Sequence, residues 1–297
     1  MNKINYRLTA QAPLRTAADK LAWNHYLSKV YRPFIQGYSF YQSLLAQLDK
    51  QISKHRPNPL AVCDLGCGPL VTVEHLAENH PSINRIAAYD YDADAPELGR
   101  RENPSAYTGK KLSLYPNTDL TQPIDFEAHA PYDVVLCINM LYLFDESGQR
   151  QTLSSIKNNL KPDGIALIGS IMPPFTKYSV DAKHGGDGSI EKQEIACIVS
   201  KLLLAATQLL CGHPLLALNT FLSILKFVMA IKPMKQFTEK IATGQAMKTT
   251  HASMLGLLES EGFQVLDASA YYTPEIHGHN GLDQAGAVLY TVKLKRA

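Results

Sequence analysis

The stretch Val62-Cys63-Asp64-Leu65-Gly66-Cys67-Gly68-Pro69 constrains this chain more than any other. An apolar run ends in an acid, passes through glycines at alternate positions and leads into helical sequence from Val71. Glycine lets the backbone turn sharply and lets a ligand come close, which a side chain would prevent. A strand that turns through such a loop into a helix opens an α/β unit with a parallel sheet.

The alternation continues downstream. Leu60 to Leu65 reads as the first strand and Val71 to Asn79 as a helix. Arg85 to Asp90 is the second strand and Lys111 to Tyr115 the third. Asp133 to Ile138, apolar after its first residue, reads as a fourth strand buried on both faces. Glu146 to Leu160 is a helix stopped by Lys161-Pro162-Asp163-Gly164, and Ile165 to Ser170 is the fifth strand. Thr250 can cap a helix through Met254, Leu257 and Leu258 to Gly262. Phe263 to Tyr272 and Ala287 to Lys295 follow as a pair joined by a short loop, hence antiparallel. The expected fold is α/β: a Rossmann-like, seven-stranded, mostly parallel sheet whose last strand is antiparallel. The core spans 57–170 and 246–297.

Two segments break this rhythm. Residues 1–56 form an N-terminal helical cover, with a break at Arg32-Pro33 and a second helix from about Tyr38 to Ile52. Its aromatics, among them Trp23, Tyr26, Tyr41 and Phe40, suit packing on the core or the wall of a pocket. Residues 171–245 form a helical insertion. Leu202 to Leu225 carries no Lys, Arg, Asp or Glu, long enough to span a bilayer of ~20 residues. Gly212-His213-Pro214 divides it into two shorter apolar helices, which suits a lid better than a span; residues 195–232 could also make transient membrane contact.

Composition narrows the partners. With 29 Lys+Arg against 27 Asp+Glu, the formal charge is +2 and no nucleic-acid footprint is expected. Cysteines at 63, 67, 137, 197 and 211 are odd in number and dispersed, which fits free thiols in a reducing cytoplasm. The first residues, Met1 to Arg7, lack the apolar core of a secretory signal.

The ligand follows from acids near the loop. Asp90 ends the second strand 22 residues after Gly68, where an acid accepts hydrogen bonds from two ribose hydroxyls. A nicotinamide enzyme shares that feature. Its third glycine, however, would fall near Val71, and its pattern lacks the leading acid Asp64. Asp64-Leu65-Gly66-Cys67-Gly68 resembles the first motif of class I S-adenosylmethionine (SAM)-dependent methyltransferases. Tyr89-Asp90 is similar to their second motif, and Tyr132 to Tyr142 resembles the strand-four motif. Leu160-Lys161-Pro162-Asp163-Gly164 and Leu257 to Phe263 match later parts of the same family. Leu70 departs from it, since many members carry a further glycine there.

The resemblance implies SAM as cofactor, S-adenosylhomocysteine (SAH) as product, and a role for each matching residue. Asp64 would position the amino group, while Gly66, Cys67 and Gly68 would approach the methionine and ribose portion. Asp90 would bind the ribose hydroxyls and Tyr91 would cover the adenine or ribose face. Asp119 and Leu120 would flank the adenine, although Asp119 also suits a simple loop acid. Ile138 and Asn139 would pass under the sulfonium end.

The acceptor side is less specified. Tyr142 and Asp145 lie past strand four, and Tyr142 and His184 are the candidate catalytic residues. His213, His251, His277 and His279 are further histidines that could face the pocket. His277-Gly278-His279 with His184 is a poor ligand set, so no metal is expected. An apolar cover and lid suggest a small hydrophobic acceptor, a specialised metabolite or lipid-like compound. Two rivals stay open: a SAM-binding protein without catalysis, and an NAD(P)-dependent oxidoreductase. The oligomeric state is open too, a dimer included.

Overall fold

The computed structural model describes residues 32, 39–124, 131–171, 207, 218, 250–272 and 287–295. Helix α1 (Ser39–His55) sets Leu44, Leu45, Leu48 and Ile52 at spacings of one to four, and all four are buried. It is followed by β1 (Ala61–Leu65), α2 (Val71–Asn79), β2 (Arg85–Tyr89), α3 (Ala95–Glu102) and β3 (Lys111–Tyr115). Then come β4 (Tyr132–Ile138), α4 (Glu146–Asn159), β5 (Leu160–Ile171), α5 (His251–Ser260), β6 (Phe263–Tyr272) and β7 (Ala287–Leu294).

The seven strands form one sheet in the order β3-β2-β1-β4-β5-β7-β6. β1 to β5 pair in parallel, and β7 runs antiparallel between β5 and β6. This is the expected Rossmann-like sheet. Strand order turns back between β1 and β4, and in open α/β sheets ligands bind at such a point, past the carboxyl ends of the strands.

Residues of β1 and β4 alternate between two apolar layers. Val62, Val134 and Leu136 pack with α1 and α2, whereas Cys63, Leu65, Val135 and Cys137 pack on the other face with Leu153, Ile156, Met254 and Leu258. Every residue of both strands is buried, as expected for strands covered by helices on both sides.

Helix ends follow local chemistry. Asp145 caps α4 by accepting from Gly148 N at 2.9 Å. Thr250 and Ser253 form a capping box at the start of α5, and Gly262, at φ +88°, closes it. The expected turn at Lys161-Pro162-Asp163-Gly164 is a bulge within β5. Leu160 pairs with Tyr132 and Ile165 with Val134, so the residues between them loop out of the ladder.

Two polar clusters hold the layers together away from the carboxyl edge. Buried Asp133, at the start of β4, accepts from Leu60 N at 3.1 Å, Ala61 N at 2.9 Å, Lys161 Nζ at 3.0 Å and the Arg56 guanidinium. Burial alone would raise its pKa, but these donors bring it down to about 2. Asp49 of α1 accepts from His75 Nε2 at 2.8 Å and His80 Nε2 at 2.9 Å, fastening α1 to α2. Among the described residues no helix is long and apolar enough to cross a membrane. Apart from residues 171, 207 and 218, the insertion 171–245 with its stretch 195–232 lies outside the described residues, as does most of the cover.

Candidate active site

The loop after β1 is drawn tightly against β2. Gly66 N and Cys67 N both donate to Tyr89 O, at 2.8 and 3.0 Å. Gly66 sits at φ +82°, and a Cβ there would lie 2.6 Å from Met140 Sδ, so both conformation and packing demand glycine. Gly68, at φ +49°, has nothing within 4 Å of a Cβ built on it. Its glycine leaves open room above the loop, and its N–H donates to Asp90 Oδ2 at 2.7 Å.

Leu70, the departure from the glycine-rich pattern, takes the backbone conformation that a glycine would favour. Its φ is +61°, in the left-handed region, and its side chain is fully buried. Burial of the leucine offsets a backbone cost of roughly 1–2 kcal/mol. The loop is braced from behind by Arg32, which donates to Pro69 O at 2.9 Å and pairs with buried Glu74. Gly99 of α3 lies so close to Pro69 O that a side chain there would press on the loop.

Asp90 joins three strand ends. Its Oδ1 accepts from Asp92 N at 2.8 Å, its backbone N–H donates to Tyr115 O at 3.1 Å, and its carbonyl accepts from Thr118 N at 2.8 Å. Burial raises its pKa, opposed by the N–H groups of Asp92 and Gly68. A carboxylate has about four acceptor positions, and the N–H groups of Gly68, Tyr91 and Asp92 leave this one room to accept a further hydroxyl.

Asp64 is different. It is 2% exposed, and none of the described residues donates a hydrogen bond to its carboxylate. Burial first, and the charge of Asp90 second, push its pKa up to about 8. A buried acid beside another acid calls for a cation. Cys67, in the same loop, is held as a neutral thiol by burial and by both carboxylates.

The remaining expected residues fall around this centre. Tyr91 is 40% exposed directly after Asp90. Asp119 Oδ1 accepts from Thr121 N at 3.0 Å and Thr121 Oγ1 at 2.6 Å, so one carboxylate oxygen fixes the turn. Leu120 is buried, and its carbonyl accepts from Thr152 Oγ1 at 2.9 Å. Ile138 ends β4 beside Gly169, and Asn139 follows at φ +57°. Tyr142 is buried against Ile171 with its phenol pKa pushed up by burial, so it stays protonated. Candidate base His184 lies outside the described residues, as do His213, His277 and His279. His251 is described, and its Nδ1 shares a hydrogen bond of 2.8 Å with Tyr290 Oη. Among the described residues no cluster of His, Cys, Asp and Glu is arranged to hold a metal.

Three residues make contacts that the motifs did not specify. Met140 seats on Gly66, and Tyr41 of α1 shares a 2.5 Å hydrogen bond with Thr72 and feels the charge of Asp64. Tyr271 reaches Asn139 from β6. Only the fold brings these contacts together.

A family profile described as a methyltransferase domain matches residues 62–164. No curated protein matches the sequence. Among solved structures, the chain is similar to the N-methyltransferase NodS from Bradyrhizobium japonicum WM9 in complex with SAH. That match has a TM-score of 0.52 and 13% identity, covering 98% of this chain and 100% of that one. A SAM-dependent methyltransferase from Clostridium acetobutylicum ATCC 824 matches at TM-score 0.54 and 11% identity, covering 95% and 100%. An O-methyltransferase family protein from Burkholderia thailandensis matches at 0.51 and 13%, covering 97% of this chain and 64% of that one. Residues 62–164 thus match the methyltransferase-domain profile, and the fold around them is similar to that of SAM-dependent methyltransferases.

Proposed function

We propose that this protein binds SAM across the carboxyl ends of β1, β2 and β4 and methylates a small, apolar acceptor. The observation that carries the reading is Asp64, a buried carboxylate that takes no hydrogen bond from any described residue. The ammonium of an amino-acid head group supplies the missing partner. Gly68 leaves backbone and open space for the adjoining sugar, and Asp90 is the hydroxyl acceptor next to it. SAM, when bound, supplies a methyl on a sulfonium that leaves by in-line displacement. The protein's share is to orient the reactants and to exclude water.

The acceptor reading rests on sequence. The charge-free run Leu202 to Leu225 and the aromatic N-terminal segment would cover an apolar compound, a specialised metabolite or lipid-like molecule. Residues 195–232 would then guide a lipid-like acceptor from a membrane surface. Tyr142, protonated and buried next to β5, would serve as wall and hydrogen-bond donor, with His184 as the candidate base.

Calorimetric titration with SAM, SAH and NADPH, on wild type and on Asp90→Ala, tests the cofactor. Binding of both adenosyl ligands, lost in the variant, is the expected result. NADPH binding without an adenosyl response would overturn the reading. Turnover of lipophilic acceptors by the SAM-loaded protein then separates an enzyme from a binding protein.

A further inference from the structure

Asn139, which leaves β4 at the carboxyl edge, is a non-glycine residue in the left-handed region, at φ +57°. Asparagine visits that region more readily than other side chains, at a cost of up to about 1 kcal/mol that its contacts here offset. Its N–H donates to Gly169 O on β5 at 2.8 Å. Its Oδ1 accepts from Tyr271 Oη at 2.6 Å. Tyr271 lies on β6, the edge strand, with β7 and β5 between it and β4.

Two features allow that reach. Ala270 pairs with Val288 and Tyr272 with Ala287, so Tyr271 is the extra residue of a bulge, a device that re-aims a side chain. Gly169 lies beneath the phenol, and a Cβ there would sit 3.4 Å from Tyr271 Oη and 3.3 Å from Ile138 Cγ2. The next residue, Met140, is the one seated on Gly66. The chain of contacts therefore runs from the sheet edge, through Asn139 and Met140, to the glycine loop.

The geometry points to Tyr271 as a positioning residue that holds Asn139 left-handed and so presses Met140 onto the Gly66 loop, setting the floor under the cofactor's reactive end. The contact with the cofactor rests on the function proposed above; the hold on Asn139 does not. Burial keeps the phenol protonated, so its O–H remains a donor.

The test compares Tyr271→Phe in two backgrounds, wild type and Asn139→Gly, because glycine reaches positive φ without help. Amide hydrogen exchange of the ligand-free protein over residues 138–142 reads the hold itself. In the wild-type background Tyr271→Phe is expected to speed exchange there about fivefold, the worth of one hydrogen bond. SAH affinity, by calorimetry, is expected to fall by a similar factor, and the melting temperature by only a few degrees. In the Asn139→Gly background both effects are expected to vanish. Equal losses in both backgrounds would make Tyr271 mere packing and overturn the proposal, as would unchanged exchange. If the wild type failed to bind SAH, the cofactor reading would fall, and the exchange arm would still decide the role of Tyr271.

Discussion

At the residue scale the site turns on the contrast between two aspartates. Both are buried acids, but Asp90 accepts N–H donors on each oxygen, while Asp64 accepts none from the described residues. With a folded pKa of about 8 against the usual 3.8, Asp64 carries a proton at neutral pH, and its contribution to stability is lost as pH rises between those values. An ammonium ligand favours the ionised form and must displace that proton. SAH affinity is therefore expected to rise from pH 6 to pH 8 with proton release, read by calorimetry in buffers of different ionisation enthalpy. Asp64→Asn should bind more weakly and without that slope; a wild-type profile flat in pH would contradict the assignment. Leu70 makes a second case. Leu70→Gly relaxes a positive φ but removes a fully buried side chain. The net loss in chemical denaturation is expected to be about 2 kcal/mol or more. The motif Asp64 to Gly68 was legible in sequence, but the pKa of Asp64 was not, because it depends on Asp90 and on layers of distant apolar residues.

At the element scale the loop between β1 and α2 is shaped from three sides. Tyr89 O receives its amides, Met140 packs on Gly66, and Gly99 of α3 stands behind Pro69. Gly66 and Gly68 should respond differently to alanine. Gly66→Ala collides with Met140 and is expected to lower both the melting temperature and SAH affinity. Gly68→Ala meets open space, so it should cost only about 1 kcal/mol of stability for its positive φ. Its affinity for SAH should nonetheless fall tenfold or more, since the new methyl occupies the approach to the loop. Matched losses of stability and affinity in Gly68→Ala would argue that the open room is not a ligand's. Strand and helix positions were legible because their periods differ, and α2, β3 and β6 have the bounds expected from sequence. The bulges at 161–164 and at Tyr271 were not, since a bulge is defined by what the neighbouring strand does.

Across the whole molecule, stability and chemistry sit at opposite ends of the sheet. The Asp133 cluster ties Arg56, Lys161 and the start of β1 together at the amino end of β4. Asp133→Ala takes away the buried acceptor of two backbone N–H groups and of the partly exposed Arg56 and Lys161 cations, and is expected to cost about 3 kcal/mol in urea unfolding. SAH affinity of the folded fraction should be unchanged. Because the Asp133 pKa is depressed to about 2, its contribution is full above the usual 3.8 and is lost as pH falls from there toward 2. A wild-type protein whose unfolding free energy held constant over that range would count against the cluster. By itself the sequence determined the alternating α/β pattern, the antiparallel final pair, the glycine loop and its two acids, because these are local patterns of period, turn chemistry and strand-end spacing. Only the tertiary structure decided that Met140 seats on Gly66, that Tyr271 reaches Asn139 beside it, that Asp64 lacks a hydrogen-bond donor among the described residues, and that Leu70 serves where a glycine was expected. Those are facts of packing between residues up to 132 positions apart, and no local pattern encodes them.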